Sequence, residues 1–114
     1  MTKVFISLPM RDRSVDEIRE RMNYILEKAR ERLKDDLELI DTVNTDPQPI
    51  ESKHGCYYLG RSISMMSNAD FVIFDHDWRT AKGCRIERWV CSFYGIPYYT
   101  VMTEDNWSCD VTVR

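Results

Sequence analysis

The chemistry-bearing side chains of this chain crowd into one stretch, Asp75-His76-Asp77-Trp78-Arg79-Thr80-Ala81-Lys82-Gly83-Cys84-Arg85-Ile86-Glu87. It follows the apolar run Phe71-Val72-Ile73-Phe74 and leads into a helical pattern. Gly83 at a helix start permits close backbone approach. The free N–H groups after it, aided by the helix dipole and by Lys82, make an anion site. Glu87 lies on the first turns of the same helix. An ionised carboxylate facing a cleft suits a nucleophile that attacks a sugar's anomeric carbon, and it stabilises an oxocarbenium-like transition state. By spacing alone, a surface glutamate capping the helix is the simpler reading. Asp75 and Asp77, at the end of the preceding strand, could supply acid–base work. Asp75-His76-Asp77 has metal-ligand residue types, but three neighbours at a strand end are not expected to point one way, so no metal is assigned. Trp78 can stack on a base or sugar or serve as a packed lid. Arg11 and Arg13 can clamp a phosphate or remain solvated loop cations.

The elements that must position these groups are legible in the hydrophobic pattern. Lys3 to Ser7 reads as a strand ended by Leu8-Pro9. Ser14-Val15-Asp16-Glu17 is a capping box. Behind it, Ile18, Met22, Ile25, Leu26, Ala29 and Leu33 repeat with helical period, and Glu17–Arg21, Glu27–Arg30 and Glu31–Lys34 pairs lace the outer face. Leu37 to Asp41 alternates as a second strand, and a polar loop from Thr42 to Gly55 is long enough to suggest function. Tyr58, Leu59, Ile63 and Met66 predict a second helix ending near Asn68. Phe71 to Phe74 predicts a strand buried on both faces. Gly83 to Tyr94 predicts a third helix with Ile86, Val90 and Phe93 inward and Gly95 as its C-cap. Ile96 to Val101 completes a fourth strand, and Val111 and Val113 suggest an edge strand.

This order, β-α-β-α-β-α-β, calls for a parallel sheet covered on both faces. The expectation is one α/β domain over residues 1–114: a flavodoxin- or Rossmann-like three-layer sandwich with a mainly parallel sheet of four or five strands. Ligands of such sheets bind beyond the carboxyl ends of the strands. That edge collects Ser7, Leu8, Pro9 and Met10, then 41–44, 75–78, and the helix start at Gly83.

Composition narrows the partners. With 114 residues, 43% hydrophobic and 31% charged, a packed core is within reach. The net charge of -3 disfavours long nucleic acid, although a few cations can still gather around a small anion. No apolar run is long enough to span a bilayer, and the N-terminus reads as a strand without a cleavage signature, so a cytoplasmic protein without membrane contact is expected. Cys56, Cys84, Cys91 and Cys109 form no CxxC pair and read as reduced thiols. Met22, Met65 and Met66 read as core filler and His54 as a solvated loop residue; one of Tyr57 and Tyr58 is expected to face the cleft. Trp89 is expected to project from the third helix, which suggests a homo-oligomer.

Five fragments carry a resemblance: Phe5-Ile6-Ser7-Leu8-Pro9-Met10, Tyr58-Leu59-Gly60, Met66-Ser67-Asn68-Ala69-Asp70-Phe71-Val72-Ile73-Phe74, Trp78 with Lys82-Gly83-Cys84-Arg85-Ile86-Glu87, and Tyr94-Gly95-Ile96-Pro97. In order and spacing, from residue 3 to about residue 101, the chain resembles the nucleoside 2-deoxyribosyltransferase superfamily, most of all a branch of small bacterial and phage proteins. The resemblance implies a flavodoxin-like fold and cleavage of N-glycosidic bonds of deoxynucleosides or their 5′-monophosphates, without a cofactor. The glutamate that becomes glycosylated matches Glu87. Contacts to a nucleoside or nucleotide are then expected from Ser7, Pro9, Met10, Arg11, Tyr58, Ser62, Trp78, Lys82 and Gly83, and from Asn106 across a subunit contact. Three family positions differ here. A first-strand tyrosine falls on Phe5, the acid that handles the base falls on Ser62, and a carboxylate six residues before the nucleophile falls on Ala81. A non-catalytic nucleotide-binding module on the same fold is therefore the second reading.

Overall fold

The computed structural model describes residues 1–43, 55–103 and 106–110. Within them the chain forms β1 (Thr2–Ser7), α1 (Val15–Leu33), β2 (Leu37–Leu39), α2 (Cys56–Met66), β3 (Phe71–Phe74), a 3₁₀ turn (Trp78–Thr80), α3 (Lys82–Tyr94), β4 (Tyr98–Val101) and β5 (Trp107–Asp110).

Local rules explain most boundaries. The predicted capping box opens α1: the Ser14 hydroxyl accepts from the Glu17 N–H at 3.1 Å, and the Glu17 carboxylate accepts from the Ser14 N–H at 3.2 Å. Two donors that a helix start leaves orphaned are thereby satisfied. The helix buries Ile18, Met22, Ile25, Leu26 and Ala29, the stripe its period predicts. Its surface pairs differ in part. Glu27 does meet Arg30, but Glu31 meets Lys28, and Arg21 leaves Glu17 for the buried Asp75. Gly95 ends α3 in the left-handed region at φ 67°, a conformation that costs glycine little. β4 starts at Tyr98 rather than Ile96, since Pro97 has no N–H to give a ladder; its carbonyl accepts from Val72 at 3.0 Å. β2 ends at Leu39, two residues before its expected end. The edge strand is Trp107–Asp110, earlier than the expected Val111 and Val113, which lie outside the described residues.

The five strands make one sheet in the order β2-β1-β3-β4-β5, parallel except for β5, which runs antiparallel to β4. The chain moves outward from β1 to β2, then crosses back to β3 and continues to β4. Crossovers share one hand, so reversing direction puts the connecting helices on opposite faces. The core shows this. Ile6, Ile73 and Leu37 pack under Met22 and Ile25 of α1 on one face. Phe5, Val72 and Phe74 pack with Met66 of α2 and Cys91 of α3 on the other. The reversal leaves a crevice at the carboxyl ends of β1 and β3, the usual ligand position of such sheets. No described helix is long and apolar enough to cross a membrane.

One element is turned relative to expectation. α3 buries Cys84, Glu87 and Cys91, while Ile86 and Phe93 are exposed and Val90 is half-buried. The sheet-facing stripe is occupied by small soft thiols, with Cys91 Sγ 3.9 Å from Met66 Sδ. This rotation carries Glu87 out of the surface position that spacing suggests and into the interior.

Candidate active site

β1 delivers Ser7 to its carboxyl end, buried and pointing toward the start of α3. The 3₁₀ turn after β3 swings the chain so that α3 begins over this point. As a result the Ser7 hydroxyl donates to Glu87 Oε1 at 2.7 Å across 80 residues of sequence. Glu87 is only 6% exposed. Burial drives its carboxyl up to about 7, and the Ser7 hydrogen bond offsets part of that rise by stabilising the anion. The dipole at the start of α3 favours the ionised form, but loss of water outweighs it. Among the described residues Glu87 Oε2 has no hydrogen-bond partner.

Around this pair lies a cavity of about 530 Å³, within the range of small-molecule sites. Ser7, Met10, Tyr58, Ser62, Lys82 and Gly83 line it with Glu87, as expected. Phe5 and Ala81 line it too. An added Cβ at Gly83 would meet only the Leu59 side chain, at 3.8 Å, so packing within the protein does not demand glycine there. What glycine leaves is clearance for a ligand beside the helix start. α3 has no side-chain cap, and Lys82 stands at its first turn.

Two further lining residues were not singled out by sequence reasoning. Thr42, just past β2, is buried, and its hydroxyl has no partner among the described residues. A buried hydroxyl without a partner is costly, and this one sits at the cavity wall. Cys84 lies beside Ser7, and burial pushes its thiol up to about 11, which makes it a poor nucleophile. Its place one turn before Glu87 was the available sequence signal for it.

Other expected residues lie elsewhere. Asp75 is 1% exposed and does not line the cavity. Its carboxylate takes a two-pronged grip from Arg21, with Nε at 2.9 Å and Nη2 at 2.8 Å, and accepts from the His76 N–H at 2.8 Å. Burial alone would raise its carboxyl, but these donors hold it below the ordinary carboxylate range. A carboxylate so committed is a structural anchor and not an acid–base group for Glu87. Asp77 pairs with Arg13 at 2.8 Å, which removes Asp77 from the cavity and Arg13 from any phosphate. The ligating atoms of Asp75, His76 and Asp77 do approach within 4.8 Å of one another, against the expectation for strand neighbours. The chain turns immediately after β3, which breaks the alternation; Arg21 takes both oxygens of Asp75, Arg13 takes Asp77 Oδ2, and Asp77 Oδ1 is buried without a partner among the described residues. Pro9 is buried beside the site without lining it, Arg11 is exposed, and Asn106 sits in the turn between β4 and β5. Trp78 packs edge-on against Phe74 and lines a different groove. His54 lies outside the described residues, and Trp89 projects as expected, 64% exposed.

Compared with known proteins, the chain matches no family model, no curated protein and no solved structure.

Proposed function

We propose that the cavity at the carboxyl end of β1 cleaves or transfers at the N-glycosidic bond of a nucleoside or nucleoside 5′-monophosphate, with Glu87 as nucleophile. The observation that carries this reading is the placement of Glu87: a buried carboxylate in a small-molecule cavity, held through one oxygen by Ser7. The strand order β2-β1-β3-β4-β5 has the sequence of a flavodoxin-like sheet, with β5 antiparallel, and the cavity lies where that order reverses, which supports this reading. Both agree with the resemblance to the nucleoside 2-deoxyribosyltransferase superfamily.

In this reading Glu87 Oε2 attacks C1′ of the sugar as the C1′–N bond breaks, and the bonding pair leaves with the base. The product is a glycosyl ester on Glu87, which water or a second base then opens with return of the carboxylate. Ser7 restricts the carboxylate to one orientation. The Thr42 hydroxyl supplies a partner for a sugar hydroxyl, and Lys82 with the α3 N-terminus holds a 5′-phosphate. A second reading, binding without chemistry, is favoured by one observation: no carboxylate other than Glu87 lines the cavity among the described residues, so no second carboxylic acid stands ready to protonate the departing base.

Incubation with a panel of nucleosides and 5′-monophosphates, followed by chromatography for free base, separates the two. Base release that disappears in Glu87→Gln supports the nucleophile. Release that persists in that variant overturns it, and saturable binding without release selects the second reading.

A further inference from the structure

A second groove, of about 580 Å³, runs along the outer side of α3 and shares no residue with the Glu87 cavity. Its walls are Arg79, Arg85 and Arg88 with Trp78, Trp89 and Phe93. No carboxylate lines it among the described residues, although the whole chain carries a net charge of -3. Three cations gathered in one groove of an acidic protein repel one another and create a local field for an anion.

The arginines divide the work. The Arg88 guanidinium lies 4.2 Å from the Trp78 ring centre and 4.6 Å from that of Tyr98, and it donates to the Thr100 hydroxyl at 2.8 Å. It is thereby fixed as part of the groove floor. Arg79 lies over Trp78 at 5.1 Å, while Arg85 is exposed; neither has an ion pair among the described residues. Trp89 and Phe93 stand beside them with ring centres 5.3 Å apart, 64% and 60% exposed. Flat exposed rings next to unpaired guanidinium forks match a flat heterocycle joined to a phosphate.

From this juxtaposition we infer that the α3 groove is a second ligand site, and that its occupant is a free 5′-nucleotide. The base stacks on Trp89, with Phe93, tilted 45° to it, against its edge, and Arg79 and Arg85 grip the phosphate. A long polynucleotide fits less well, since the chain as a whole carries a net charge of -3. A second copy of the chain fits less well too. A two-fold dimer centred on this face would set its arginines against the same arginines of the partner.

The test uses Glu87→Gln protein, in which nothing consumes the ligand, so it reads the groove whether or not Glu87 is a nucleophile. Tryptophan fluorescence is followed during titration with adenosine 5′-monophosphate, adenosine, inorganic phosphate and a short single-stranded oligonucleotide. The expected result is saturable quenching by the monophosphate, about tenfold or more tighter than by adenosine, weakening with salt and competed by inorganic phosphate. Arg79→Ala with Arg85→Ala, both exposed, should abolish that preference as read by quenching, because the groove holds Trp78 and Trp89 whereas no described tryptophan lines the Glu87 cavity, and Trp89→Leu should abolish most of the quenching. Equal affinities for monophosphate and adenosine, or an unchanged preference in the arginine variant, would overturn the site. So would tighter binding of the oligonucleotide per phosphate. A mass near twice 13.6 kDa that reverts to 13.6 kDa in Trp89→Asp would assign the face to a second copy and also overturn it.

Discussion

Replacing Glu87 with glutamine should stabilise the protein, and only above mildly acidic pH. The carboxyl stands at about 7 in the folded chain against 4.5 when solvated. At about 1.4 kcal/mol per pH unit of that difference, the buried group costs the fold about 3 kcal/mol once fully ionised. The sign follows from proton counting. Below about pH 4 both folded and unfolded chains hold the proton, and Glu87 adds no pH dependence. As pH rises through 4.5 the unfolded chain releases it while the folded chain keeps it, so stability falls. The fall ends above about 7, where the folded carboxyl ionises as well. Glutamine keeps an oxygen for the Ser7 hydroxyl and has no charge to desolvate. Urea unfolding of both proteins at a series of pH values should therefore give a stability difference that grows by about 3 kcal/mol between about pH 4 and pH 8, a midpoint shift of about 1 to 3 M. Groups common to both proteins, Asp75 included, cancel in that difference. A difference that stays flat with pH, or that favours the wild type increasingly at alkaline pH, would show that Glu87 is not a buried, reluctantly ionised acid.

Three further outcomes follow from the same geometry. If Glu87 acts as an anionic nucleophile, kcat/KM for base release should rise with pH around an apparent value near 7 and then level. Ser7→Ala, which removes a donor that favours the anion, should move that rise to higher pH, and an unmoved profile would separate Ser7 from Glu87 ionisation. Arg21→Met should cost about 3 kcal/mol near neutral pH by stranding the Asp75 carboxylate. Because Asp75 is held below its ordinary value, its pairing stabilises above 3.8 and is lost as pH falls. The penalty should therefore shrink in acid unfolding, and a pH-independent penalty would argue for packing alone. Maleimide labelling of native protein at neutral pH, mapped by mass spectrometry, should modify exposed Cys56 well before Cys84 and Cys91, whose thiols burial raises to about 11 and about 12. Early labelling of Cys84 would show an ionised thiol in the cavity.

The local grammar of the fold was legible residue by residue. Ser14 and Glu17 announce the start of α1, the period of Ile18, Met22, Ile25 and Ala29 announces its buried face, Phe71 to Phe74 announces a strand covered on both sides, and Gly95 announces a helix end. Each of these signals is complete within one element, because capping, period and backbone preference act over a few residues. Alternation of strands and helices then led to the parallel sheet and to its carboxyl edge, and hence to Ser7, Met10 and Gly83 as cavity residues. Tertiary structure alone decided the rest. Which stripe of α3 faces the sheet depends on what the sheet can accept. Ranking by hydrophobicity chose Ile86, Val90 and Phe93, whereas close packing against Met66 and Val72 selects the small thiols and brings Glu87 in with them. The ionic partners were equally invisible, since Arg21 could meet Glu17 four residues away or Asp75 across the fold, and a buried carboxylate makes the stronger claim on a guanidinium. Sequence spacing determined that Glu87 sits one helical turn past Gly83. Burial, which only the assembled fold produces, determined that its carboxyl is hard to ionise.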